Sequence, residues 1–462
     1  MPGTDPAAVP AVGDELDLLV GPVAHGGHCV ARVGDTDDGL VVFVRHALPG
    51  EQVRARVTGV GSGGRFLRAD AVTVHRASPD RVEPPCPFSG PARCGGCDWQ
   101  HADLVAQRAL KAQVVTEQLL RVGGLGPEEV RRLGGGAELV CEPVPGDHDG
   151  LRWRTRVEVA LRHVPGDPPV SGLRAHRSHE VVDVDDCRIA APGVVGTGVF
   201  AAAQELVPGT TGRSRAADVV TALDVVAPAV GEPVVVPLAA PSGGHRPRGR
   251  RPGTGRRAAR RPPVPVGPVP EVTERVGERD FTVSARGFWQ VHPGAAATYT
   301  EQVLAWLDPQ PGESALDLYA GVGLFAAPLA DAVGPEGRVL AVEADEEATR
   351  SARGNLSAYP WARAVAEPTA AALERLVADG ERVDLVVLDP PRSGAGGDVV
   401  RALAALRPRA VVHVACDPAA LARDLGTARE AGLEPEALRV LDAFPMTHHV
   451  ECLALLRPGA PR

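Results

Sequence analysis

Residues 314–333 read SALDLYAGVGLFAAPLADAV: a short apolar strand, a glycine turn, then an amphipathic helix. Strand-type runs recur downstream as GRVLAVEAD (337–345), RVDLVVLDPPRSG (382–394) and RAVVHVACDP (409–418), each stopping at acids, glycine or cysteine. Continuous apolar strands of this kind are buried on both faces, as in a parallel sheet. Residues 271–462 are therefore expected to form a doubly wound, Rossmann-like α/β domain with its site at the carboxyl ends of the strands. The turn carries Gly321 and Gly323 but lacks the third glycine of the dinucleotide fingerprint, and a nicotinamide site stays open as a competitor. Glu343, about twenty residues beyond the turn, is placed to accept from ribose hydroxyls. Asp389 ends the third strand in the same way.

Cys416 falls where the fourth strand ends and a helix begins. A helix N-terminus lowers a thiol pKa, so a nucleophilic thiolate is expected there, against the alternative of a buried, inert cysteine. Glu451, in DAFPMTHHVECLALL (442–456), precedes a last apolar strand. Raised in pKa by burial, it could take a proton in the same site; alone, it reads as a solvated strand-start acid.

Upstream, ELDLLVGPVAHGGHCVARVG (15–34), GLVVFVRHALPGEQVRARVTGV (39–60) and FLRADAVTVHR (66–76) alternate like short strands separated by glycines. They predict a small β-barrel of the oligonucleotide-binding type over 14–78, with a small sandwich as the alternative. Residues 79–240 are expected to form a central mixed α+β domain: a Pro/Gly-rich stretch, a helix from ADLVAQRALKAQ (102–113) onward, then strands such as WRTRVEVALRHV (153–164). Residues 241–270 hold eight arginines and no acid, a composition that predicts a disordered insertion.

Net charge is −9, so contacts to nucleic acid must come from local patches. No run approaches about 18 apolar residues, and no basic stretch followed by an apolar one opens the chain; a cytoplasmic protein without membrane contact is expected. A chain of 462 residues needs no disulfide staples, which leaves its eight cysteines free for other work. Four of them, Cys86, Cys94, Cys97 and Cys187, follow C-x7-C-x2-C…C, a donor set that suits an iron–sulfur cluster or zinc.

With SPDRVEPPCPFSGPARCGGCDWQH (78–101), GLRAHRSHEVVDVDDC (172–187) and FWQVHP (288–293) added, these segments resemble the RNA uracil-5-methyltransferase family over nearly the whole chain and in the family's order. The resemblance implies that the N-terminal barrel is an OB-like TRAM domain, that S-adenosyl-L-methionine is the methyl donor, and that the product is 5-methyluridine in ribosomal or transfer RNA. It implies that Cys416 adds to uracil C6 and Glu451 removes the C5 proton. Gln290, Tyr319, Gly321, Gly323, Glu343 and Asp389 match positions that contact the cofactor or align the site. Cys86, Cys94, Cys97 and Cys187 match the ligands of a 4Fe-4S cluster, and the chain is expected to act as a monomer. The departures are Leu324 where several members have Asn, ACDP for Ser-Cys-Asn-Pro, seven residues rather than five in the first cysteine gap, and the arginine-rich insertion. A cytosine C5 methyltransferase and a non-catalytic RNA-binding protein are the alternatives. The cysteine loop reads as a brace shaping the RNA-facing surface.

Overall fold

Strand β4 (Gln52–Val60) buries Val53, Ala55 and Val57 and exposes Arg54 and Arg56, the period of two that a strand with one dry face requires. With β1 (Glu15–Ala24), β2 (His28–Arg32), β3 (Val41–Arg45) and β5 (Phe66–Arg76) it closes a barrel in the order β1-β2-β3-β5-β4. β3 and β5 run parallel and the other neighbours antiparallel. Closure removes the open edges a small sheet would otherwise present. The computed structural model describes residues 9–35, 38–162, 170–202, 220–240 and 262–459. Among these no helix is long and apolar enough to cross a membrane.

The barrel core does not end at its strands. Trp99 and Ala102, from the cysteine-bearing stretch, and Val114, from the helix Leu104–Arg121, pack among Leu18, Val42 and Leu67. Asp103 caps that helix by accepting from the Ala106 amide at 2.8 Å.

The segment 79–240, expected to be one central domain, is divided. Its helix Leu104–Arg121 lies against the helix Pro418–Glu430, and β6 (Cys141–Pro143) adds to the edge of the C-terminal sheet. Lys111, on the inner face of the first helix, is fully buried and donates to Asp442 Oδ1 at 2.5 Å and to the Phe444 carbonyl at 3.0 Å. Arg108 reaches the other Asp442 oxygen at 3.2 Å. A buried charge must be paired to persist, so this pair fixes the register of helix on sheet. What does form a central sheet is β7 (Arg156–Arg162), β8 (Val170–Arg174), β9 (Val181–Asp183), β10 (Val220–Val226), β11 (Val234–Ala239) and β12 (Val264–Pro265), ordered β12-β11-β10-β7-β8-β9. β12 lies inside the stretch 241–270 expected to be disordered; its two residues pair with Leu238 and Ala239 of β11, because the edge of that strand offers backbone groups that need partners. Residues 241–261, with the eight arginines, lie outside the described residues.

A hairpin of β13 (Glu271–Val276) and β14 (Arg279–Ser284) leads into the C-terminal domain. There β15 (Ser314–Leu318), β16 (Arg338–Glu343), β17 (Ala362–Ala366), β18 (Leu385–Leu388), β19 (Ala410–Ala415), β20 (Leu433–Asp442) and β21 (Glu451–Pro458) form, with β6, an eight-stranded sheet ordered β17-β16-β15-β18-β19-β21-β20-β6. The five strands from β17 to β19 are parallel, as expected, and β21 inserts antiparallel between β19 and β20. β18 and β19 are buried along their whole length, which explains why their sequences show no alternation. Strand order reverses between β15 and β18, and the crevice outside their carboxyl ends is where a doubly wound sheet binds ligands.

Candidate active site

The glycine turn after β15 forms one wall of that crevice. Tyr319 holds φ 60°, in the left-handed region a tyrosine seldom adopts, and Gly321 follows at φ 54°. A Cβ on Gly321 would meet nothing within 4 Å, so open space lies beside the backbone there. Glu343, at the end of β16, accepts from the Gly321 amide at 2.9 Å and from the Asp345 amide at 2.8 Å. Both oxygens are thereby oriented and each keeps a lone pair for a ligand hydroxyl. Asp389 follows β18, its amide bonded to the Leu318 carbonyl at 3.2 Å, and Gln290 Nε2 lies 3.5 Å from its Oδ2. The turn with Tyr319, Gly321 and Gly323, the acids Glu343 and Asp389, and the distant Gln290 thus form one cluster at the carboxyl ends of β15, β16 and β18. Asp317 belongs to it as well: its Oδ2 accepts from the Ala326 amide at 2.8 Å, its Oδ1 finds no partner among the described residues, and burial pushes its pKa up to about 8. The signal for Asp317, an acid inside the apolar run SALDL, stood in the sequence and was not used.

Cys416 and Glu451 come together across this crevice although they arrive on different strands, β19 and β21, which pair side by side with Ala415 opposite Cys452. Burial, then the charges of Glu451 and Asp389, push the Cys416 thiol up to about 12. This corrects the expectation of a thiol lowered by its helix. The N-terminus of the helix Pro418–Glu430 is already occupied by Asp417, whose side chain accepts from the Ala420 amide at 2.8 Å, and two carboxylates outweigh a dipole. Glu451 is buried with Oε1 unpartnered among the described residues; burial and the Asp389 charge raise its pKa well above the ordinary carboxylate range. Burial takes Asp389 to about 7. The buried Tyr299 hydroxyl feels both acids and Cys416.

A cavity of about 210 Å³ opens onto Cys416, and its walls come from three regions: His25 and Gly27 of the β1–β2 turn, Trp99 of the cysteine loop, and Arg392, Asp417 and His448 of the C-terminal domain. His25 Nε2 lies 3.0 Å from Asp417 Oδ2, and the Asp417 carboxylate raises the histidine's pKa. Asp424 bonds the Ala395 and Gly396 amides at 2.8 and 3.1 Å and faces His413 at 3.1 Å, ordering the loop that carries Arg392. His25 had no motif to flag it, since its partner Asp417 is 392 residues away in sequence.

The four cysteines Cys86, Cys94, Cys97 and Cys187 are free thiols. Among the described residues no group of three or more His, Cys, Asp or Glu side chains is arranged to hold a metal ion. The four are nonetheless neighbours. Burial takes Cys94 up to about 11, and the charges of Cys187 and Cys86 add to it; Cys97 and Cys187 are raised by burial and by the other thiols in the same way. Arg154 works in the opposite direction on Cys94 and Cys187. The donor set therefore suits a soft cation, while its positions are not those of a closed ligand shell.

Known proteins agree with this architecture. The TRAM domain family matches residues 11–72 and the tRNA (Uracil-5-)-methyltransferase family matches residues 275–458. An uncharacterized RNA methyltransferase of Streptomyces coelicolor is 46% identical over 99% of this chain and 96% of its own length. The 23S rRNA (uracil(1939)-C(5))-methyltransferase RlmD of Chromohalobacter salexigens is 32% identical over 96% of this chain and 90% of its own. The crystal structure of Pyrococcus abyssi tRNA (uracil-54, C5)-methyltransferase, in complex with S-adenosyl-L-homocysteine, superposes with a TM-score of 0.62 over 96% of this chain and all of that one; at 20% identity it speaks for the fold. A TRAM barrel joined to a doubly wound methyltransferase domain, with full-length relatives at this level of identity, makes the chain an RNA methyltransferase belonging to the RNA uracil-5-methyltransferase family.

Proposed function

We propose that the chain methylates C5 of uridine in ribosomal RNA, with S-adenosyl-L-methionine as donor, through a covalent adduct of Cys416 to C6 of the base. The observation that carries this reading is the convergence of a cysteine and two carboxyls raised by burial, Cys416, Glu451 and Asp389, where β18 and β19 end and the antiparallel β21 begins. Uracil C5 is a poor nucleophile; Cys416 gives up its thiol proton to water, and addition of the thiolate sulfur to C6 breaks the C5–C6 double bond and converts the ring to an enolate with electron density at C5. The donor supplies an electrophilic methyl group on a sulfonium. Once C5 bears both hydrogen and methyl, the Glu451 carboxylate takes the hydrogen as a proton, the C5–C6 double bond re-forms, and the sulfur leaves. Gln290, Tyr319, Gly321, Gly323, Glu343 and Asp389 would hold the donor, with Glu343 toward its ribose. The target base has to leave its stack to reach Cys416. Ribosomal rather than transfer RNA is favoured by the relative that acts on 23S rRNA and aligns over nearly the full chain.

The direct test is mass-mapping of 5-methyluridine in RNA from cells with and without the gene. Loss of one site in 23S rRNA is expected; loss from transfer RNA alone redirects the substrate, and loss of 5-methylcytidine instead refutes the uracil assignment.

The proton inventory of the crevice supplies a second test. Burial raises Asp389 to about 7, and burial with the Asp389 charge raises Glu451 well above the ordinary carboxylate range. A sulfonium favours the charged form of both carboxyls, so S-adenosyl-L-methionine should release more protons on binding than the uncharged thioether S-adenosyl-L-homocysteine does. Calorimetry in buffers of different ionisation enthalpy reads this difference; equal release removes Asp389 and Glu451 from the donor's surroundings.

Cys86, Cys94, Cys97 and Cys187 are proposed to hold a 4Fe-4S cluster, supported by four mutually interacting free thiols. Protein prepared without oxygen should contain about four irons with sulfide per chain. Zinc without sulfide would assign the thiols to a zinc site instead.

A further inference from the structure

The residue after Cys97 does not point back at the cysteines. Asp98 Oδ2 accepts from His448 Nδ1 at 2.6 Å and from the His448 amide at 3.2 Å. The Asp98 and Trp99 amides both donate to the Met446 carbonyl at 3.0 Å, and Gln107 Oε1 accepts from the Met446 amide at 2.8 Å. The turn from β20 to β21 is thereby held at five points by residues some 340 positions upstream, with Met446 itself in the left-handed region at φ 66°. Trp99 Nε1 extends the hold to the barrel by donating to the Gly27 carbonyl at 3.2 Å. Gly27 packs so closely that a Cβ there would lie 2.6 Å from His448 Cβ. This turn ends at Glu451, the first residue of β21.

We propose that Asp98 and His448 are positioning residues for proton removal: by clamping the β20–β21 turn to the cysteine loop, they set Glu451 opposite Cys416. Neither residue touches the reacting atoms. The observations favour this over a purely architectural brace because the clamp converges on the one turn that delivers the base, while none of its hydrogen bonds reaches β19, the strand that Cys416 follows. The proposal rests on the covalent reading above and makes a separable demand. RNA with 5-fluorouridine at the target can form the Cys416 adduct and accept methyl, but offers C5 no proton to lose, so trapping is independent of Glu451. Uridine turnover needs it.

With the full chain, Asp98→Ala and, from the other side of the contact, His448→Phe are expected to lower uridine turnover by about tenfold or more. In both, the steady-state fraction of uridine RNA in covalent adduct should rise, and the trapping rate with 5-fluorouridine RNA should stay within about twofold of the parent. His448→Asn, which keeps a donor near the Nδ1 position, should recover part of the turnover. Equal losses of trapping and turnover, or unchanged turnover in both variants, overturn the proposal; if Asp98→Ala does not fold, His448→Phe decides. Failure of the parent chain to be trapped would refute the covalent reading itself.

Discussion

Cys416→Ala is expected to abolish methylation, by at least about 10⁴-fold, and to abolish covalent trapping by 5-fluorouridine RNA. The loss should be this large because nothing else described in the crevice replaces a nucleophile. Cys452 lies near it on β21, opposite Ala415, but it is buried and raised well above the ordinary thiol range, first by burial and then by Glu451. Donor binding should survive, since the groups proposed for it, Glu343 and the Tyr319–Gly323 turn, lie on β15 and β16. The informative comparison is therefore donor affinity by calorimetry beside methyl transfer to RNA. Retained affinity with no transfer and no adduct assigns the sulfur to the chemistry. An adduct that still forms in the alanine variant would show the nucleophile to be elsewhere.

Glu451→Gln is expected to separate the two halves of the reaction. Turnover should fall by about 10² to 10⁴ fold, the usual weight of a positioned base. Ordinary uridine RNA should now accumulate as a methylated adduct on Cys416, detectable as a protein–RNA species that survives denaturation. The amide is close in size to the acid, so the crevice keeps its shape. It also removes a neighbouring carboxyl that raises the Cys416 thiol, so adduct formation should not slow. A variant that neither turns over nor accumulates adduct would place Glu451 in substrate binding or in the first step.

Much of this was legible in the chain. SALDLYAGVGLF announces a strand, a turn and a helix because a buried parallel strand needs unbroken apolar residues and a ligand-facing turn needs glycine. Glu343, Asp389 and Cys416 were each readable as polar groups where a strand ends, and Glu451 as an acid where one begins. That they share one crevice follows from strand order, which local pattern does not encode. The division of residues 79–240 was not legible: β6 is three residues long, and only its pairing with Val440 to Asp442 makes it a strand. The Cys416 thiol departs from what its helix implies because the helix is visible at short range, whereas the burial that raises it, and then the carboxyl of Glu451, come from the packing of other strands. His25 with Asp417, and Asp98 with His448, are pairs joined across 392 and 350 residues. Such pairs leave no periodicity behind.

The ion pair between Lys111 and Asp442 has a further use. Lys111 is the chain's only lysine, and its side chain is wholly buried where the helix Leu104–Arg121 meets the end of β20. An amine-reactive reagent therefore meets no lysine on the folded surface. Acylation of this one ammonium group requires the helix to lift from the sheet, so its rate of labelling is a clock for the opening of the joint between the barrel-side helix and the catalytic sheet, built in without any added probe.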